Sequence, residues 1–266
     1  MPEQTHIDTP EGRLFAARWS ANRAARSDHA PIVLFHDSLG CLALWREFPE
    51  ALCQATGRDV IAYDRLGFGR SDPYPGRLPR DFVEKEAYTG FAALCRAFEL
   101  TGGFVALGHS VGGGMAVVCA ATAGLRCEAL ITESAQAFVE PLTLAGIRDA
   151  KQSFAAPGQL DRLRKHHGDK ARWVLDAWTE TWLDPGFADW SLDPWLPEIR
   201  CPLLALHGER DEFGSPAHPR RLAGLAGGAA TVALLAGVGH VPHRQTPAAV
   251  LARVADFLGE PPSSGQ

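Results

Sequence analysis

The chain has 266 residues, a formal charge of −5, 46% hydrophobic and 21% charged residues, with 27 Gly and 19 Pro. That is an ordinary globular composition, and it argues against disorder, collagen-like repeats and coiled coil. The acidic balance and the absence of any Lys/Arg-rich run speak against nucleic acid or an anionic membrane as partner.

The N-terminus, Met1-Pro2-Glu3-Gln4-Thr5-His6, is polar and lacks the basic and apolar regions of a secretory signal. Arg13–Trp19 alternates loosely and predicts an antiparallel edge strand. Continuous apolar runs then recur at 32–35, 60–63, 104–107, 129–131, 203–206 and 231–235. Such runs predict strands covered on both faces, and the helical patterns between them predict a mostly parallel α/β sheet. Helices are expected at about 80–99, 113–123 and 247–258, the first from Phe91, Leu94, Cys95 and Phe98 at helical spacing. No apolar run approaches the roughly 18 residues of a membrane span.

Between the strands at 129–131 and 203–206 the pattern is helical with no strand. Such a stretch is too long for a simple connection and is expected to form an inserted helical lid at 136–198. The core is then 1–135 together with 199–266. Ala171, Val174, Leu175, Trp178 and Trp182 make a helical stripe, and five of the seven tryptophans fall in this insertion. Most of them are read as packing between lid and sheet. Residues 260–266 read as a frayed tail. The six cysteines are widely spaced, with no C-x-x-C pair. They read as packed free thiols of a reduced, cytoplasmic protein.

Gly108-His109-Ser110-Val111-Gly112 follows a predicted strand and opens a predicted helix, the context in which G-x-S-x-G presents a nucleophilic serine. A serine hydroxyl needs a base and an orienting acid. Asp211 lies beyond the strand at 203–206 and His240 beyond the strand at 231–235, which gives the order Ser…Asp…His at the carboxyl edge of the sheet. Glu133, Glu209 and Glu212 are weaker candidates for the acid, and His243 reads as a residue that caps or lines the site. His240 and His243 do not form H-E-x-x-H, so no metal is expected. Gly67-Phe68-Gly69 lacks the third glycine of a dinucleotide fingerprint, so no nucleotide cofactor is expected either.

With Phe35-His36-Asp37-Ser38-Leu39-Gly40, Tyr63–Asp72, H-G-x-x-D at 207–211 and G-x-G-H at 237–240, the chain resembles an α/β-hydrolase with a helical lid over about 10–259. The resemblance implies an oxyanion hole made by the backbone N–H groups of Val111 and Ser38. It also implies a catalytic triad of Ser110, Asp211 and His240. Asp37 stands where such enzymes usually have Gly, so its carboxylate is expected to turn away from the hole toward a backbone N–H. His36, Leu39, His109, Trp178 and Trp182 are candidates to line the substrate pocket. The reading implied is a cofactor-free serine hydrolase acting on a small to medium, largely apolar ester. C–C bond hydrolysis, lactone hydrolysis, perhydrolase or haloperoxidase-like chemistry, and a slow-turnover receptor for a small ligand remain open alternatives. The sequence leaves the oligomeric state open.

Overall fold

The computed structural model describes residues 2–21, 29–123 and 126–259, so the tail expected to fray lies outside the described residues. The strands are β1 (Glu3–Thr9), β2 (Gly12–Trp19), β3 (Ile32–Phe35), β4 (Val60–Asp64), β5 (Phe104–His109), β6 (Cys127–Glu133), β7 (Leu203–Gly208) and β8 (Ala230–Leu235). They form an eight-stranded sheet in the order β1-β2-β4-β3-β5-β6-β7-β8. The pairs β1·β2 and β2·β4 are antiparallel and the others parallel.

Every residue of β3, β4, β5 and β7 is buried, as their uninterrupted apolar runs require. Alternate side chains feed two cores. Val33, Phe35, Ile61, Tyr63, Phe104 and Ala106 face one side, and Ile32, Leu34, Val60, Ala62, Val105 and Leu107 face the other. A one-residue slip in any central strand would exchange the two sets, so the packing fixes the register.

The helices are α1 (Phe48–Thr56), α2 (Phe82–Glu86), α3 (Gly90–Ala97), α4 (Val111–Ala123), α5 (Pro141–Phe154), α6 (Gln159–His167), α7 (Ala171–Trp182), α8 (Ala217–Leu225), α9 (Pro242–Gln245) and α10 (Pro247–Phe257). The first core takes Leu94 from α3 and Met115 and Val118 from α4, while the second takes Leu52 from α1 and Val250 and Val254 from α10. Each large aliphatic side chain so buried contributes roughly 1.5–3 kcal/mol. Among the described residues no helix is long and apolar enough to cross a membrane.

Two expectations need correction. The segment expected as an edge strand at 13–19 is β2, antiparallel but paired on both sides by β1 and β4. The edge is β1 at the polar N-terminus, whose only buried side chain is Ile7, so it lacks the apolar signal that marks the others. The single helix expected at 80–99 is two, α2 and α3. The chain breaks at Thr89 (φ −110°, ψ −92°), and the Glu86 carboxylate fills the space a Cβ on Gly90 would need. Between β6 and β7 the chain is helical, with α5, α6 and α7 over the carboxyl edge and a Trp182–Phe187–Trp190 aromatic cluster anchoring the end of α7.

Candidate active site

Ser110 stands between β5 and α4 with a left-handed φ of 55°, a conformation an L-residue adopts only under constraint. The constraint is close packing: a Cβ on Gly108 would strike the Gly112 carbonyl, and one on Gly112 would strike the carbonyls of Phe35 and His36. The Ser110 N–H donates to the Glu133 carbonyl at 2.8 Å, which ties the turn to the end of β6. The strained turn lifts the hydroxyl above the sheet at the start of α4, where the helix dipole favours negative charge.

The loops after β7 and β8 converge on that hydroxyl. His240 Nε2 lies 3.0 Å from Ser110 Oγ, and its Nδ1 lies 2.8 and 2.9 Å from the two oxygens of Asp211. The Phe213 N–H donates to Asp211 at 2.7 Å, fixing the carboxylate opposite the imidazole. The His240 loop is held on both sides, since its N–H donates to Glu212 (3.2 Å) and its carbonyl accepts from His109 Nε2 (2.8 Å).

Burial alone would lower the pKa of His240, but the hydrogen bond and charge of Asp211 outweigh it and hold that pKa above the ordinary 6.5. Burial alone would likewise raise Asp211. The imidazole beside it reverses the effect and keeps the carboxyl below its usual range. The pair therefore favours an ion pair, Asp211 carboxylate with imidazolium, when a proton arrives at His240.

The hydroxyl opens into a cavity of about 220 Å³, lined by Asp37, Ser38, Leu39, Gln136, Trp178, Trp182, Phe213 and Val241. From α5 it takes Thr143, Ile147, Ala150 and Phe154. Among the described residues the backbone N–H groups of Ser38 and Val111 are given to no acceptor. Two such donors beside a nucleophile are suited to a developing oxyanion.

Leu39, Trp178 and Trp182 thus line the cavity as the sequence anticipates. His36 and His109 do not. His36 is buried outside it, where Nδ1 donates to the Asp37 carbonyl (2.8 Å) and Nε2 accepts the Arg65 N–H (3.1 Å), while burial holds its pKa far below the usual value. His109 supports the His240 carbonyl from beneath, and burial lowers its pKa to about 4. Both are neutral buttresses.

Asp37 also departs from expectation. Its carboxylate folds back over Gly40, lies 3.9 Å from His109 Nδ1 and remains on the cavity wall, with no backbone N–H donor among the described residues. Gln136, whose side-chain oxygen is 3.3 Å from Ser110 Oγ, and Glu212 were not anticipated as lining residues. The α5 contribution does carry a signal, because positions 143, 147, 150 and 154 repeat at helical spacing. Among the described residues no group of His, Cys, Asp or Glu is arranged to hold a metal.

A family model described as the alpha/beta hydrolase fold matches residues 30–175. Serine hydrolase BPHL of Mus musculus is 30% identical over 163 residues, covering 57% of this chain and 53% of that protein. The chain thus spans about half the length of the curated relative it matches. A proline iminopeptidase from Mycobacterium smegmatis superposes with a TM-score of 0.74 at 21% identity, over 97% of this chain and 98% of that one. The structure of VinJ superposes with a TM-score of 0.78 at 20% identity, over 97% and 99%. At these identities the solved structures speak for the fold alone.

Proposed function

The chain belongs to the alpha/beta hydrolase fold family, and on that premise we propose that it is a serine hydrolase cleaving a small to medium, largely apolar carboxylic ester. The observation that carries this reading is the unbroken chain Asp211–His240–Ser110, at 2.8 and 3.0 Å, opening into an apolar cavity beside two free N–H groups.

In this reading His240 Nε2 takes the hydroxyl proton as Ser110 Oγ attacks the ester carbonyl carbon. Asp211 keeps Nδ1 protonated and balances the imidazolium. The Val111 and Ser38 N–H groups receive the oxyanion, each such donor being worth about 2.7–4 kcal/mol in the transition state. Collapse expels the alcohol, which takes its proton from His240 Nε2. Water, deprotonated by the same nitrogen, then attacks the acyl-serine and releases the carboxylic acid.

The cavity limits the substrate. A volume of about 220 Å³ walled by Leu39, Ile147, Phe154, Trp178 and Phe213 suits one short alkyl or aryl group on the carbonyl. The helices α5 to α7 act as the lid that excludes water above it. Hydrolysis of p-nitrophenyl acetate, butyrate and octanoate by the parent and by Ser110→Ala tests the proposal. It expects turnover of the shorter esters and its loss in the variant. No turnover of any ester by folded parent, or turnover retained in Ser110→Ala, would overturn it.

A further inference from the structure

A second cavity of about 430 Å³ lies between the β1–β2 turn and α2. Its inner walls are apolar, formed by Leu14, Leu66, Phe68, Leu78, Phe82 and Met115. At its inner end stands Arg65, a cation only 4% exposed. The Arg65 Nη2 donates to the Asp37 carbonyl (2.8 Å), Nε donates to His36 Nε2 (3.3 Å), and the guanidinium carbon lies 4.2 Å above the Phe68 ring. Among the described residues Nη1 has no acceptor, and no carboxylate lies within 4.0 Å of the guanidinium.

A guanidinium stays charged in a protein, and burying it without a counter-ion is costly unless something else supplies the negative charge. Burial lowers the Arg65 pKa and the charges of Glu86 and Asp37 act against it, but neither carboxylate pairs with the guanidinium directly. Lys85 is bound to Asp81 at 3.1 Å, and Glu11, at the outer turn, accepts from Thr9. The buried Glu86 accepts the Tyr63 hydroxyl at 2.7 Å, and burial raises its pKa against the pull of Arg65. A small void of about 10 Å³ shares Arg65 and Phe68 with this chamber and Ser38 and Trp178 with the one holding Ser110. The side chain of Tyr88 stands exposed at the outer mouth.

We infer that this chamber is a second ligand site, for a small apolar carboxylate whose head group takes the free Nη1 of Arg65 and whose body lies against the apolar walls. The volume is of the size that houses small-molecule ligands. A carboxylate is the complementary head because it accepts a charge-assisted hydrogen bond and cancels the buried charge in one contact. Because Arg65 also holds the Asp37 carbonyl and His36, occupancy bears directly on the loop that carries Ser38.

The test is photolabelling of full-length Ser110→Ala with a diazirine-bearing medium-chain fatty acid and with its neutral carboxamide, mapped by peptide mass spectrometry. The inference does not depend on ester hydrolysis, and a variant without the serine hydroxyl keeps the two questions apart. Label from the acid is expected on residues 66–90, with the carboxamide weaker by about tenfold, the order that a charge-assisted bond supplies. Arg65→Met should remove the preference for the acid. Since Arg65 also braces a loop, Thr89→Trp, which plugs the mouth from an exposed position, should abolish labelling while leaving the fold intact. Label confined to residues 136–154, equal labelling by acid and carboxamide, or undiminished labelling of folded Thr89→Trp would overturn the inference.

Discussion

Glu133 grips His243 twice: one carboxylate oxygen lies 2.9 Å from the ring Nδ1 and the other accepts the backbone N–H at 2.5 Å. Both residues are buried, and Trp45 and Phe48 pack on the imidazole at ring distances of 4.7 and 5.3 Å. The pair stands beside the Ser110–His240–Asp211 chain without joining it, and it ties the end of β6 to the segment just beyond His240. Burial alone would raise the Glu133 pKa, but His243 holds it below the ordinary carboxyl value.

Removing the carboxylate in Glu133→Ala leaves two buried donors unpaired. Urea unfolding at neutral pH should show a loss of about 3–5 kcal/mol, the usual result of breaking a buried pair from one side. Because the folded-state pKa is depressed, the stabilisation is present above the unfolded carboxyl value of about 4.3 and is lost as pH falls through the lower folded value. A variant as stable as the parent at pH 7 would show that the pair contributes nothing.

Asp211 is the acid that meets His240, whereas Glu209 is exposed in the same turn. Asp211→Asn should lower kcat by about 10⁴-fold with little loss of fold, because it presents the wrong hydrogen-bonding partner to Nδ1. Glu209→Gln should turn over ester at close to the parent rate. Steady-state kinetics on both variants would expose a misassigned acid if the effects were reversed.

The rate should depend on pH through His240. Only the neutral imidazole can take the serine proton, so kcat/KM rises with pH and reaches half its plateau at the folded pKa. Asp211 raises that pKa, which places the midpoint above 6.5. A midpoint below 6.5, or a flat profile from pH 5 to 8, would contradict His240 as the base.

Trp178 forms part of the wall facing Ser110, and its ring lies 5.7 Å from that of Phe213. Trp178→Ala lengthens the cavity, so kcat/KM for longer acyl esters should rise relative to butyrate. The expected gain is about 4-fold per added methylene that becomes buried, from roughly 0.8 kcal/mol each. An unchanged chain-length profile, measured on a p-nitrophenyl series, would place the acyl group elsewhere.

The sequence made the central strands legible because burial on both faces demands the uninterrupted apolar runs seen at β3, β4, β5 and β7. It also made Ser110, Asp211 and His240 legible, since each occupies a loop at the carboxyl edge with its own local motif. The edge strand β1 was hidden, as a strand with one buried side chain carries no pattern. The roles of His36 and His109 were hidden for another reason. Their partners, the Arg65 N–H and the His240 carbonyl, lie 29 and 131 residues away along the chain. Residue type announces a hydrogen-bonding ring, and only the folded chain says what it bonds. The α5 face toward the cavity had the right spacing, but spacing alone does not say which way a helix turns.

The most direct test of the central claim is intact-mass spectrometry after treatment with a small fluorophosphonate, on the parent and on Ser110→Ala. An activated serine should gain one phosphonyl adduct, with loss of fluoride, and the variant should gain none. A folded parent that stays unlabelled, or a variant that still takes the adduct, would contradict Ser110 as the nucleophile.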